Sequence, residues 1–398
     1  SAHIRLSWQR KRNRCTYCEP EIRRQMPPED FWNIAGRAGR VGQDSIGIIA
    51  LVAKNNEEIE KLKTFINKQT GALNSSLIEM VTEAMNTSFM DIEDLKSIVR
   101  QKPTWSAFVQ YLTHTYKQMG ESENFIADIE QVLRGTFGFE KLRQQNRDWS
   151  NKFIRGVEKY AIYMQEPKNK GPIKLVDSTG FSLQSVNQLL ASADTEGINR
   201  GSWSQELFSG SSEELRKMVG ILLKIPELKE NFDDIKGKTN TQNGNTISLV
   251  IKDWVNGKSI ENIAENYFKT ENMTMDEAIT KCGQSLYGKI TQTASWGLSA
   301  LLSSTVGEIE ENEFKELSNL PARVYYGVNS DDAMVLRLAG IPRIASTELS
   351  KVLPNIKKES VASVRHILRN GSRDLWRKAM GNEKGEVYFK VWSVLEGV

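Results

Sequence analysis

Arg37 and Arg40, each preceded by a glycine (Gly36 and Gly39), are the residues of this chain whose types and spacing most directly suggest chemistry. A glycine lets the backbone come close to a ligand, and a guanidinium is a fork of donors that fits phosphate oxygens. Positions three apart on a helix share a face, so both forks would reach the same anion. The same spacing also describes a helix ending in a glycine-rich turn with its arginines in water, and residue types alone leave both readings open. The element that must position the pair is a helix from Phe31 to Ala38, with Asp30 as N-cap after Pro27-Pro28, followed by the apolar run Gly47 to Ala53.

Gly36-Arg37-Ala38-Gly39-Arg40 ahead of a β-branched run resembles motif VI of superfamily-two helicases, and Asn33-Ile34-Ala35 resembles its superkiller-type branch. The resemblance implies the end of a second RecA-like lobe. In that family the two arginines act as fingers that reach the γ-phosphate of ATP, whose Mg2+ is held mainly by the first lobe. Arginine fingers stabilise charge developing on a transferring phosphoryl group. Carried over by position, the fingers are Arg37 and Arg40, and Asn33, Gly36 and Gly39 line the nucleotide side. Asn33 stands where many superfamily-two motifs have glutamine.

A second stretch, Trp254-Val255-Asn256-Gly257-Lys258-Ser259-Ile260 with Ile263-Ala264, resembles the helical domain of the same helicases, just upstream of their ratchet helix. Here that helix is expected from about Met275 to Leu302. The resemblance makes Lys281, Tyr287, Lys289 and Trp296 the candidates for holding a single strand. Stacking an aromatic on a base is worth ~1–3 kcal/mol whatever the base. Against this, Ile279, Leu286, Ile290, Leu298 and Leu301 form an apolar face that Tyr287 and Trp296 could simply edge. Further on, Leu338-Ala339-Gly340-Ile341 before a helix resembles a helix-hairpin-helix, which brings Arg343 into the nucleic-acid set. Pro342 replaces the usual second glycine and removes one N–H, which turns the expectation toward a packing hairpin.

The rest of the chain bounds these readings. Its 398 residues are 39% hydrophobic, enough to fill two or three domains, and the net charge of +3 is too small to argue for a nucleic-acid partner by itself. Residues 1 to 26 interleave arginines with Trp8 and Tyr17, which suits either a phosphate backbone or a solvated surface. Cys15 and Cys18 have metal-ligand spacing but no second pair, so no metal is expected. Gly237-Lys238-Thr239 lacks the glycine-rich turn of a phosphate loop, and no Asp-Glu box is present. The expectation is therefore a C-terminal portion of a longer helicase that does not hydrolyse ATP alone.

The expected fold is mainly α. Residues 1–55 would end a RecA-like α/β lobe, 56–172 form a winged-helix or helical domain, 173–320 a ratchet bundle and 321–398 a helix-hairpin-helix-like region. A strand or turn near Lys174 to Ser182 and a strand over Glu386 to Trp392 are expected within them. The resemblance implies 3′-to-5′ ATP-driven translocation on single-stranded or tailed duplex nucleic acid, with bacterial phage-defence helicases as a home. The alternative is a non-catalytic module that docks a partner such as an effector nuclease. No run of about 18 apolar residues or signal peptide is present, so no membrane association and a cytoplasmic location are expected.

Overall fold

Short polar residues punctuate the chain into helices. Asp94, Asn146, Ser259, Thr274, Ser330 and Ser360 each accept a backbone N–H from the first turn of the helix that follows, satisfying a donor that the helix start leaves open. The computed structural model describes residues 55–56, 76–87, 90–122, 124–134, 137–209, 213–232, 244–307, 310–371 and 373–396. Asn33, Gly36, Arg37, Gly39, Arg40, both N-terminal cysteines and Gly237-Lys238-Thr239 lie outside them.

Every regular element among the described residues is a helix. The first group is α1 (Ser76–Met85), α2 (Leu95–Gln101), α3 (Ser106–Gln118), α4 (Phe125–Arg134), α5 (Phe137–Gln145) and α6 (Arg147–Gln165). The span expected to hold a winged helix thus shows no strand for a wing among its described residues. The long helix expected over Phe139 to Met164 is two, because Asn146 ends α5 and caps α6 through Trp149 N.

Next come α7 (Pro172–Thr179), α8 (Leu183–Glu196), α9 (Glu213–Leu222), α10 (Pro226–Phe232), α11 (Gly244–Val255) and α12 (Ile260–Ile263), the last running into a π segment, Ala264–Phe268. Lys174 to Thr179 is helical, correcting the expected strand; only Gly180 makes the turn, in the left-handed conformation at φ 70°. The Glu227 carboxylate then ties three helices together, accepting from Ser106 Oγ, Ser182 N, Ser182 Oγ and Ser185 Oγ.

The third group is α13 (Met275–Ser285), a π segment (Leu286–Ile290), α14 (Thr291–Thr305), α15 (Glu311–Tyr326), α16 (Asp331–Leu338), α17 (Arg343–Val352), α18 (Val361–Asn370), α19 (Arg373–Met380) and α20 (Asn382–Glu396). The strand expected over Glu386 to Trp392 is part of α20. Its β-formers are spaced by helical steps, with Tyr388, Phe389 and Trp392 packed inward against a core that includes Trp376.

One apolar core runs from Val81 to Val324 and a second from Leu336 to Trp392. The boundaries expected at 172/173 and 320/321 both lie within the span of the first core. Helix α14 occupies the middle of the bundle, in contact with α7, α8, α9, α10 and α15.

Candidate nucleic-acid interface

The helix expected from Met275 to Leu302 exists as a continuous rod, α13 to α14, opened by a capping box between Thr274 and Glu277. Midway it widens into the π segment Leu286–Ile290, which buries Leu286 and Ile290 and leaves Tyr287 54% exposed. Such bulges inside α-helices recur at functional sites. Tyr287 and Trp296 are nine residues apart, about two and a half turns of an α-helix, and their packing shows that they serve two different sides of the rod.

Trp296 packs toward the α7–α8 corner. Its Nε1 donates to Thr179 O at 2.6 Å, its ring centre lies 4.8 Å from that of Phe181, and it remains 38% exposed. A Cβ on Gly180 would come within 3.5 Å of Nε1, so the turn and the indole fit against each other. One edge of the ring is therefore fixed while part of it stays open to a ligand. Lys289, seven residues earlier, lies on the same side of an α-helical rod as Trp296.

Gly180 is also the end of an open cleft of about 490 Å³ formed by α3 and α7, with Gln110, Tyr111, His114 and Asp177 around it. Gln110 Nε2 donates to Gly180 O at 2.8 Å. His114 Nδ1 lies 3.3 Å from Asp177 Oδ1, and Lys117 also pairs with Asp177. Burial would raise the Asp177 carboxyl, yet Lys117 and His114 outweigh it and hold the group below its ordinary value. Tyr111 stands at the rim, 46% exposed. The arrangement offers an aromatic rim at Tyr111, a second exposed ring at Trp296 across Gly180, and a charge-neutralised floor. Sequence reasoning passed over Tyr111, His114 and Asp177, because an i, i+3 pair on one helix and a carboxylate on another carry no signal until α3 and α7 are packed.

Tyr287 faces the other way. Its ring stands edge-on to Trp254, with centres 5.3 Å apart at 89°. Trp254 in turn lies under the Arg343 guanidinium at 4.2 Å and donates from Nε1 to Val324 O. The Trp254 to Ile260 stretch is thus a joint. Asn256 Nδ2 donates to Phe208 O, and Ser259 caps α12, while the carbonyls of Trp254 and Lys258 accept from Arg343 Nη1 and Nη2.

Arg343 therefore leaves the nucleic-acid set. It is buried, and its guanidinium is committed to two carbonyls and an indole. The hairpin before it is a packing hairpin in hydrogen-bond terms too. Gly340 N donates to Arg337 O and Ile341 N to Leu336 O, and Pro342 has no N–H. Lys281 is half-buried on α13, away from either aromatic in sequence. Among the described residues no cluster of His, Cys, Asp and Glu could hold a metal, and no helix is long and apolar enough to cross a membrane. The chain matches no family model, no curated protein and no solved structure.

Proposed function

We propose that this chain is the strand-gripping, ATP-sensing part of a superkiller-type superfamily-two helicase that moves 3′ to 5′ on single-stranded or tailed duplex nucleic acid. The observation that carries this reading is Trp296, an indole anchored by its Nε1 on the α7–α8 corner and still 38% exposed. A rigid ring suits a motor that must hold any base, because stacking does not depend on base identity. Lys289 on the same side and Tyr111 across Gly180 extend the track. Arg37 and Arg40 supply the ATP side of the reading through their motif, and Mg2+ would be held mainly by the other lobe.

The test is binding of labelled single strands of several sequences. Trp296→Ala is expected to weaken all of them by about 5- to 150-fold, the stacking range of ~1–3 kcal/mol, while Trp296→Phe retains most of the affinity. Affinity unchanged in Trp296→Ala overturns the grip. In the complete helicase, Arg40→Ala should abolish ATP turnover while leaving strand binding mostly intact; unchanged turnover overturns the finger assignment.

One observation favours the second reading, a module that docks a protein partner such as a nuclease. Val387, Val391, Val394 and Leu395 on α20 are all exposed, at helical spacing. Isolated exposed apolar residues are ordinary, but a contiguous stripe marks a contact surface.

A further inference from the structure

Arg337, in the last turn of α16, carries a charge that no carboxylate among the described residues offsets. Its Nη1 donates to Ile341 O at 2.6 Å, its Nε is buried with no partner, and no carboxylate pairs with it among the described residues. Arg343 lies just beyond the same hairpin, resting on carbonyls and Trp254, and Glu261 acts on it only through space. Two cations at one corner, with no carboxylate paired to either among the described residues, form a place where an anion lowers the energy of the protein. The groups that act on Arg337 through space are the phenols Tyr287 and Tyr326, and burial pushes its guanidinium below the ordinary value.

The corner is continuous with the rod through a chain of contacts: Tyr287 on Trp254, Trp254 under Arg343, Arg343 after the hairpin, and Arg337 on that hairpin's Ile341. The Gly340 and Ile341 amides of the hairpin are spent inside the fold, so they cannot cradle a phosphate and a side chain must do this work. Tyr287 presents more than half of its surface to solvent beside it.

We propose that the corner between Tyr287 and Arg337 binds one backbone phosphodiester of a single nucleic-acid strand, the guanidinium donating to a phosphate oxygen and the Tyr287 ring carrying the adjoining base. This rests on the strand-gripping reading and adds to it a second contact, on the opposite side of the rod from Trp296. Arginine suits the task because it stays charged even when partly desolvated and presents two donors to two oxygens. The phosphate fixes position and the ring tolerates any base, which gives grip without sequence preference.

The experiment is fluorescence anisotropy of the full chain with a labelled oligothymidylate over a salt series. Losing one phosphate contact should flatten the slope of log affinity against log salt by about 0.7 for a single strand. Arg337→Met is expected to show that change and Arg337→Lys to keep the wild-type slope. Tyr287→Ala should weaken binding at every salt concentration without changing the slope, and Tyr287→Phe should do neither. A second arm moves a neutral methylphosphonate linkage along the strand. One position should cost the wild-type protein affinity and cost Arg337→Met nothing further. If the methionine variant does not fold, the neutral Arg337→Gln takes its place in both arms, with the same expected results. Strand binding with an unchanged slope in Arg337→Met, or no sensitive linkage position, overturns this corner and leaves the Trp296 grip standing. A wild-type chain that binds no strand overturns both.

Discussion

Arg323 and Arg337 sit in the last turns of consecutive helices, α15 and α16, and the fold treats them in opposite ways. Arg323 is fully enclosed by partners. Its Nε and Nη2 donate to Asp331 Oδ1, Nη1 donates to Asn329 O, and Gln205 takes a further bond. Asn319 Nδ2 completes the carboxylate. Both side chains of the pair are almost out of water, 5% and 10% exposed. Arg337 is also partly desolvated, but its only acceptor among the described residues is a carbonyl. A buried ion pair holds together because each charge offsets the other's desolvation. Arg343 also lacks a carboxylate, but two carbonyls and the Trp254 ring hold its guanidinium; Arg337 has a single carbonyl, which leaves part of its guanidinium for a group outside the chain.

The contrast breaks most visibly at Asp331. Removing one partner of a buried pair strands the other, so Asp331→Ala is expected to destabilise the fold by about 3–5 kcal/mol in urea unfolding. A loss below about 1 kcal/mol would mean that Arg323 is as loosely held as Arg337, and the distinction between them would disappear.

A smaller loss is expected at Gly327, which lies between the two. It closes α15 in the left-handed conformation at φ 66°, and a Cβ there would fall 2.5 Å from both Arg343 Cδ and Trp254 Cε2. Gly327→Ala combines backbone strain with overpacking and should cost about 2–3 kcal/mol. It should also disturb Tyr287 through Trp254, so its strand affinity should fall more than that of Asp331→Ala under conditions where both are folded. Equal affinities would show that the Trp254 joint does not set the position of Tyr287.

Much of the scaffold was legible in the residues and most of the site was not. The rod from Met275 onward carries a capping signal at Thr274 and Glu277 and a run of leucines and isoleucines at helical spacing, so its existence follows from local chemistry. The π segment does not, because widening by one residue depends on how Leu286 and Ile290 pack. The Trp-Val-Asn-Gly-Lys-Ser stretch stood out as a motif, yet its work is structural: two carbonyls and an indole that receive Arg343. Valine, tyrosine, phenylalanine and tryptophan near the end of the chain suggested a strand, and the inward and outward spacing that makes them helical shows only against Trp376. Arg337 has no sequence signal at all. An arginine without a carboxylate looks like any other until its neighbours are in place, and Arg37 and Arg40 keep the opposite status, readable as a motif and outside the described residues.

Below these effects lies a pH dependence that sharpens the picture of the Arg343 interior. Cys282, fully buried on α13, has its thiol pushed up to about 12 by burial, with Arg343 pulling the other way and Glu261 adding to the rise. The unfolded thiol ionises near its ordinary value of 9.0, so the folded protein keeps its full stability below that pH and loses it as pH rises from there toward about 12. By about pH 10 the difference between wild type and Cys282→Ala should have shifted by about 1 kcal/mol relative to neutral pH. A flat difference would mean that the thiol is solvated and that the interior around Arg343 is wetter than its packing indicates.

The smallest effect on stability is the one that bears hardest on the comparison. Arg337→Met removes a bond to Ile341 O, but that carbonyl also accepts from Ser346 Oγ at 3.2 Å, so no acceptor is stranded. The change also relieves a buried Nε and an uncompensated charge and keeps the apolar stem. Losses and gains of this kind are each of order 1 kcal/mol, so unfolding stability should stay within about 1 kcal/mol of wild type, in either direction. Strand affinity should fall all the same. A loss approaching that of Asp331→Ala would make Arg337 a second structural arginine, and the corner would have no claim to a ligand.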